Sequence, residues 1–171
     1  ERRILKTLRS TQYSLGKEVE VFENNFSSFL DTKYCTGVNT GTSALHLALL
    51  ALGIGQGDEV ITVSMTFIAT VMSISYTGAT PVFVDIDNKT QLINYKDIID
   101  KISSKTKAIV VVHLYGQCAE MNEINKIAKK YKLSVIEDSS QAHGAKYHNR
   151  YAGTMSDIGT FSFYPGKNLG A

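Results

Sequence analysis

Along the chain, apolar positions alternate between helical spacing and short unbroken runs. In KEVEVFENNFSSFL, Val19, Phe22, Phe26, Phe29 and Leu30 recur at helical intervals and predict an amphipathic helix. KYCTGV follows as a short candidate strand. NTGTSALHLALLALGIGQG turns at Asn39-Thr40-Gly41 and continues as an Ala/Leu-rich helix stopping at Gly53. That helix is apolar nearly all round, which predicts burial. DEVITV reads as a strand, MTFIATVMSISYTG as a helix ending at Gly78, and TPVFVDID as a strand entered through Pro81. YKDIIDKIS predicts a helix and KAIVVVH a fully buried strand. MNEINKIAKKY carries Met121, Ile124, Ile127, Ala128 and Tyr131 on one helical stripe. LSVIED is a further strand, and DIGTFSF another after a Gly-rich loop.

Strands thus alternate with helices, and several strands are near-continuous Val/Ile runs. This is the pattern of an α/β fold: a mostly parallel sheet with helices on both faces. No internal repeat, low-complexity tract or linker interrupts it. A length of 171 residues fits one domain with a real core.

The apolar fraction of 43% is that of an ordinary globular protein. A net charge of +2, with no basic block, favours neither nucleic acid nor an anionic membrane as partner. Cys35 and Cys118 are isolated, with no CxxC and no His/Cys cluster at metal-ligand spacing, so two reduced cysteines and no metal site are expected. No stretch reaches the roughly 18 apolar residues of a membrane span, and ERRILKTLRS lacks the apolar core of a signal peptide. The chain begins with Glu rather than Met and ends abruptly, which suggests a segment of a longer one.

In open α/β sheets, ligands bind beyond the carboxyl ends of the strands. There the sequence places NTGTS, SMTF, DID, HLYGQ, EDSSQAHG and FYPGK. Gly41, opening a helix, lets a ligand approach the backbone, and free N–H groups with the helix dipole favour an anion. Thr42 and Ser43 add hydroxyls, although the same run also fits a plain Ser/Thr cap. It is neither a Walker A loop nor a GxGxxG fingerprint. Asp138 ends an apolar strand, where a carboxylate needs a partner or a cation. Asp85 and Asp87 are read as structural strand-end acids. Lys167 follows a strand and a proline turn, and lysine is the side chain suited to Schiff-base chemistry. His46, His113, His143 and His148 show no metal pairing. Together, an anion cradle, a carboxylate, the flat ring of Phe67 and a lysine match what pyridoxal phosphate requires.

The ordered run GTSALHLALLALGIGQGDEVIT, TFIAT, GATPVFVDID, KTKAIVVVHLYGQ, EDSSQAHGA and FSFYPGKNLGA closely resembles the sugar-nucleotide aminotransferases of the DegT/DnrJ/EryC1/StrS family. The match runs from about Leu15 almost to the end. The resemblance implies a pyridoxal-phosphate-dependent transferase of fold type I. Residues 1–171 would form the N-terminal and central part of its large domain, without the small C-terminal domain. It also implies a homodimer with sites near the subunit interface, and a cytoplasmic enzyme.

Position by position, the resemblance implies that Lys167 forms the Schiff base with the cofactor and later moves the proton. Asp138 would pair with the pyridinium nitrogen, and Gln141 would sit beside the ring hydroxyl. Gly41, Thr42, Ser43 and Ser162 would hold the phosphate, and Phe67 would stack on the ring. Tyr13, in STQYSLG, would lie near the sugar nucleotide, and His143 would line the pocket.

The implied reaction moves an amino group from glutamate to a keto group of a nucleotide-linked deoxy sugar. The wording FSFYPGKNLGA most resembles members that aminate C3 of dTDP-3-keto-6-deoxyhexoses, with C4 amination the near alternative. Such deoxysugars serve O-antigen or other polysaccharides, or antibiotics. Relatives with histidine in place of the lysine are dehydratases, so Lys167 implies transamination. Family chains are about twice as long, so these residues alone are expected to bind the cofactor poorly and not to turn over. A catalytically inactive fragment of such an enzyme is the reading from another class.

Overall fold

A computed structural model describes residues 2–170. The chain separates into two compact units, one up to Val38 and one from Asn39 onward. Sequence patterning predicts a single domain, and it contains no linker at this point.

The first unit holds α1 (Arg2–Ser10) and α2 (Lys17–Leu30). The α1 segment, for which the sequence reading names no element, is rich in the helix formers Arg, Leu and Lys. The predicted stripe of α2 is present, with Phe26 and Leu30 buried and Phe22 and Phe26 stacked at 5.6 Å. A left-handed Asp31 ends the helix. KYCTGV is not a strand: the N–H of Gly37 donates to Glu23 Oε1 at 2.7 Å, and no ladder partner pairs the segment among the described residues.

In the second unit, α3 (Gly41–Ala51) leads to β1 (Glu59–Val63), α4 (Ile68–Tyr76), β2 (Thr80–Val84) and β3 (Thr106–Val112). Then come α5 (Met121–Tyr131), β4 (Ser134–Asp138), the short hairpin of β5 (Lys146–Tyr147) and β6 (Arg150–Tyr151), and β7 (Ile158–Thr160). The main sheet has five strands in the order β2-β1-β3-β4-β7, and each pairing is parallel. The order reverses between β1 and β3, the switch point at which such sheets bind ligands.

Strand periodicity sorts the core into two layers. Ile61, Val63, Ile109, Val111 and Val135 face the layer of α5, with Met121, Ile124 and Ala128. Val60, Ala108, Val110 and Ile136 face α3 and α4, against Leu45, Leu49 and Ile74. Burial of this apolar area, at roughly 25 cal/mol per Å², is the main driving force for the unit.

Two predicted elements are shorter than their sequences suggest. YKDIIDKIS forms 3₁₀ turns at Tyr95–Asp97 and Ile99–Lys101 instead of an α-helix. Asn94 accepts from the Lys96 N–H and donates to Asp97, which closes a tight turn at the start of the stretch. DIGTFSF is ladder-paired only through Thr160. The Gly-rich loop before it contains the β5–β6 hairpin, turned by left-handed His148 and Asn149.

Candidate active site

The site gathers at the carboxyl edge of the sheet, where α3 and α4 start. Glu137 and Asp138 are successive residues of β4, so their side chains leave on opposite faces. Glu137 enters the α5 layer and is fully buried. Its Oε2 accepts from His113 Nε2 at 2.9 Å and from the Gly153 N–H at 2.7 Å. Its Oε1 accepts from the Met155 N–H at 2.7 Å and from Ser156 Oγ at 2.8 Å. The Ala119 N–H donates to His113 Nδ1 at 3.2 Å, so the ring proton sits on Nε2 and points at Glu137. Burial pushes the Glu137 carboxyl up. The hydrogen bonds from His113, Ser156 and Gly153 outweigh it and hold the group below its ordinary value. Glu137 is a structural clamp on the 153–156 turn.

Asp138 enters the other layer. Its Oδ2 accepts from Thr70 Oγ1 at 2.8 Å, and its Oδ1 accepts from the Ser140 N–H at 3.2 Å. Thr70 lies on α4 and also bonds Thr66 Oγ1 at 2.9 Å. Each carboxylate oxygen retains a free lone pair, so this buried acceptor-only group has capacity for a further donor, a cationic one above all.

Phe67 is the N-cap residue of α4, one turn before Thr70, and its ring is 63% exposed. Lys167 Nζ lies 5.7 Å from the centroid of that ring. The backbone holding Lys167 is a turn in which its N–H donates to Tyr164 O at 2.8 Å and its C=O accepts from Gly170 N–H at 3.1 Å.

At the start of α3, Thr40 is the cap: its Oγ1 accepts from the Ser43 N–H at 3.0 Å. The capping alternative therefore holds for Thr40, while the amides of Gly41 and Thr42 have no partner in the chain among the described contacts. Buried Ser162 packs on Gly41 so closely that a Cβ at position 41 would stand 2.9 Å from Ser162 Cβ and 3.2 Å from its Oγ. Two free amides at the start of α3, with Ser162 packed on Gly41, thus lie where an anion is favoured, while the Ser43 hydroxyl accepts from Thr40 Oγ1 at 3.0 Å.

Gln141 Oε1 accepts from the Tyr115 N–H at 2.8 Å, leaving its amide NH₂ as the remaining donor. Tyr115 adopts φ 57°, a left-handed conformation unusual for so bulky a residue. His143 is wedged between Phe161 and Phe163, with ring centroids 5.4 Å and 5.0 Å away. Tyr13 belongs to the first unit, where its hydroxyl donates to Leu8 O at 3.1 Å.

Sequence reasoning overlooked Thr70, Asn168 and the His113–Glu137 clamp. For Thr70 a signal existed, because three residues after Phe67 is the same face of a helix start. For the clamp none did, since His113 follows β3 and Glu137 lies on β4, far apart in sequence. The donor set fits pyridoxal phosphate: amides and hydroxyls for the phosphate, an acceptor-only carboxylate for the pyridinium, a flat ring, and an amine. No group of His, Cys, Asp and Glu suited to a metal occurs among the described residues. Likewise, no described helix is long and apolar enough to cross a membrane.

The DegT/DnrJ/EryC1/StrS aminotransferase family model matches residues 1–171. A curated relative, dTDP-3-amino-3,6-dideoxy-alpha-D-galactopyranose transaminase of Aneurinibacillus thermoaerophilus, is 54% identical over 92% of this chain and 44% of its own. GDP-perosamine synthase of Escherichia coli O157:H7 is 52% identical over 91% of this chain and 43% of its own. Among solved structures, S. venezuelae DesV in complex with a ketimine intermediate superposes with a TM-score of 0.95 at 45% identity, covering 98% of this chain and 45% of that one. The chain therefore spans less than half the length of these relatives.

Proposed function

Because the chain belongs to the DegT/DnrJ/EryC1/StrS aminotransferase family, we propose that it is the cofactor-binding portion of an enzyme that moves an amino group from glutamate to a keto group of a nucleotide-linked deoxy sugar. The placement of Lys167 Nζ 5.7 Å from the Phe67 ring centroid, with Phe67 and Asp138-bound Thr70 both at the start of α4, carries this reading.

When bound, pyridoxal phosphate supplies an electron sink for the carbon that gains or loses the amino group. Asp138 holds the ring nitrogen protonated by pairing with it, and Thr70 aims that carboxylate. Gln141 donates toward the ring hydroxyl. Gly41, Thr42, Ser43 and Ser162 bind the phosphate, and Phe67 covers one ring face. The Lys167 amine would anchor the cofactor and, once released, would act as base and then acid in one 1,3-proton shift per half-reaction, taking a proton from the donor's carbon in the first and, in reverse, giving one to the sugar carbon in the second.

The favoured acceptor is C3 of a dTDP-3-keto-6-deoxyhexose, supported by the relative at 54% identity. The relative named GDP-perosamine synthase, at 52%, supports a second reading with a GDP-linked sugar aminated at C4. The working enzyme is a cytoplasmic homodimer serving polysaccharide or O-antigen assembly. The exposed stripe of Ile68, Met72 and Tyr76 on α4, continuous with Phe67, supports such an assembly. Residues 1–171 supply the large domain's N-terminal and central part; alone they turn over poorly.

The test is the full-length protein with glutamate and a panel of dTDP- and GDP-linked keto sugars, with amino-sugar formation read by mass spectrometry. Amination by the wild type and its loss in Lys167→Ala are expected. A protein that gains no visible absorption band with added pyridoxal phosphate, and aminates nothing, is an inactive relative.

A further inference from the structure

His143 is the residue at this edge whose geometry has no assigned purpose. It leaves the loop after β4 and enters the segment that carries the lysine. Phe161 and Phe163 fix its ring from two sides, at 53° and 68° to its plane. Its Nδ1 is 3.4 Å from Asn168 Oδ1, next in sequence to Lys167. Its Nε2 is buried with no hydrogen-bond partner. Burial pushes the imidazole below its ordinary pKa and the Lys167 charge adds to this, against the raising effects of Asn168 and the Ser162 carbonyl. The ring is therefore neutral at physiological pH, and every neighbour that affects it other than solvent exclusion belongs to segment 161–168.

That segment lies outside the sheet. Beyond Thr160 the ladder ends, and Tyr164, Pro165, Gly166, Asn168 and Leu169 are exposed. Yet it must place Ser162 against Gly41 and Lys167 over Phe67 at once.

We propose that His143 is a positioning residue for Lys167: its ring is the post that segment 161–168 wraps, gripped by Phe161 and Phe163 at one end and tied to Asn168 at the other. An imidazole suits this task because it offers aromatic faces and an in-plane polar atom together. Asparagine would provide only the polar atom, and phenylalanine only the faces. The buried Nε2, which has no hydrogen-bond partner, is the cost of that fit. This assignment rests on Lys167 being the reactive amine of the function proposed above.

The test is competitive acetylation of lysines in the full-length protein stripped of cofactor. Acetic anhydride is the probe, and labelling of Lys167 is read by peptide mass relative to exposed Lys126 on α5. Replacing His143→Phe keeps the aromatic packing and removes the tie to Asn168. It should free the turn and raise the Lys167/Lys126 labelling ratio about fivefold, the change that one ordinary hydrogen bond carries. His143→Gln retains an amide able to reach Asn168 and should stay nearer the wild-type ratio. An unchanged ratio in His143→Phe, whether or not the protein melts earlier, overturns the proposal. So does an equal rise in both variants. The readout needs no keto sugar, so a failure to aminate any substrate would remove the proposed function and leave this result to stand by itself.

Discussion

Lys167 Nζ and the Phe67 ring lie 5.7 Å apart although the two residues are far apart in sequence. Phe67 is fixed by the start of α4, whose buried face of Thr70, Ser73 and Ile74 packs on the sheet. Lys167 is fixed by a turn closed through Tyr164 and Gly170. At this distance a lysine ammonium interacts favourably with a ring face, weakly where solvent reaches it. A flat ligand covalently held by Lys167 would take the place of that contact.

Replacing Phe67→Ala should therefore leave folding almost unchanged, because the ring is mostly exposed. Its effect should fall on cofactor retention, weakened by up to about tenfold for loss of one aromatic stacking partner. Fluorescence titration of the full-length protein with pyridoxal phosphate checks this, with thermal melting as the control.

Asp138→Asn should lower amine transfer by about a hundredfold or more, the scale expected when a preorganised charge facing a reacting system is removed. Stability should change little, since an amide oxygen can still accept from Thr70 or Ser140. Thr70→Val should act in the same direction more mildly, by about 1 kcal/mol in the transition-state barrier, because it frees the carboxylate without neutralising it. Single-turnover rates of the two variants, taken with melting curves, separate chemistry from folding.

Much of this was legible in the sequence. The order of β1, α4, β2, β3, α5 and β4 follows from apolar runs and stripes along the chain, whereas the strand order of the sheet does not. Asp138, Lys167 and Phe67 were identifiable as strand-end residues, and the structure brings Lys167 to Phe67, and Asp138 to Thr70 on the helix that Phe67 begins. What stayed hidden depended on through-space partners. KYCTGV has strand-like composition, yet ladder pairing is a property of a second segment that its own residues do not encode. Glu137 looked identical to Asp138 in polarity and position. Only alternation across the strand, combined with His113 just beyond β3, assigns one to the core and the other to the site. The role of His143 depends on where segment 161–168 passes, which no local pattern reveals.

Gly41→Ala tests the anion cradle. The added Cβ would stand 2.9 Å from Ser162 Cβ, closer than carbon contacts allow, and Ser162 is buried with little room to yield. Either Ser162 or the first turn of α3 must shift, which should cost about 1 kcal/mol or more of stability and weaken phosphate-dependent cofactor binding several-fold. Gly55→Ala is the internal comparison, since its Cβ would meet nothing nearer than Thr77 O at 3.8 Å. Equal effects of the two substitutions on cofactor binding would count against a cradle at Gly41.

The Glu137 clamp should be visible as a pH dependence of stability. Burial alone would raise its pKa, but donors from His113, Ser156 and Gly153 bring it below the ordinary value of 4.5. A folded-state pKa lower than the unfolded one means that the unfolded chain takes up the proton first as pH falls. The stabilisation from Glu137 is therefore complete above about pH 4.5 and is lost as pH drops through the folded value. Glu137→Gln cannot satisfy the same donors: its NH₂ would face either the His113 and Gly153 donors at Oε2 or the Met155 and Ser156 donors at Oε1. At pH 7 the variant should be less stable by about 2 kcal/mol, the scale for buried donors that lose a charged acceptor. Below pH 4.5 the wild type should lose stability more steeply than the variant, so the two denaturation curves converge. Urea unfolding of the full-length protein between pH 3 and 7 measures both slopes, and parallel curves throughout would show that Glu137 does not carry this charge in the folded state.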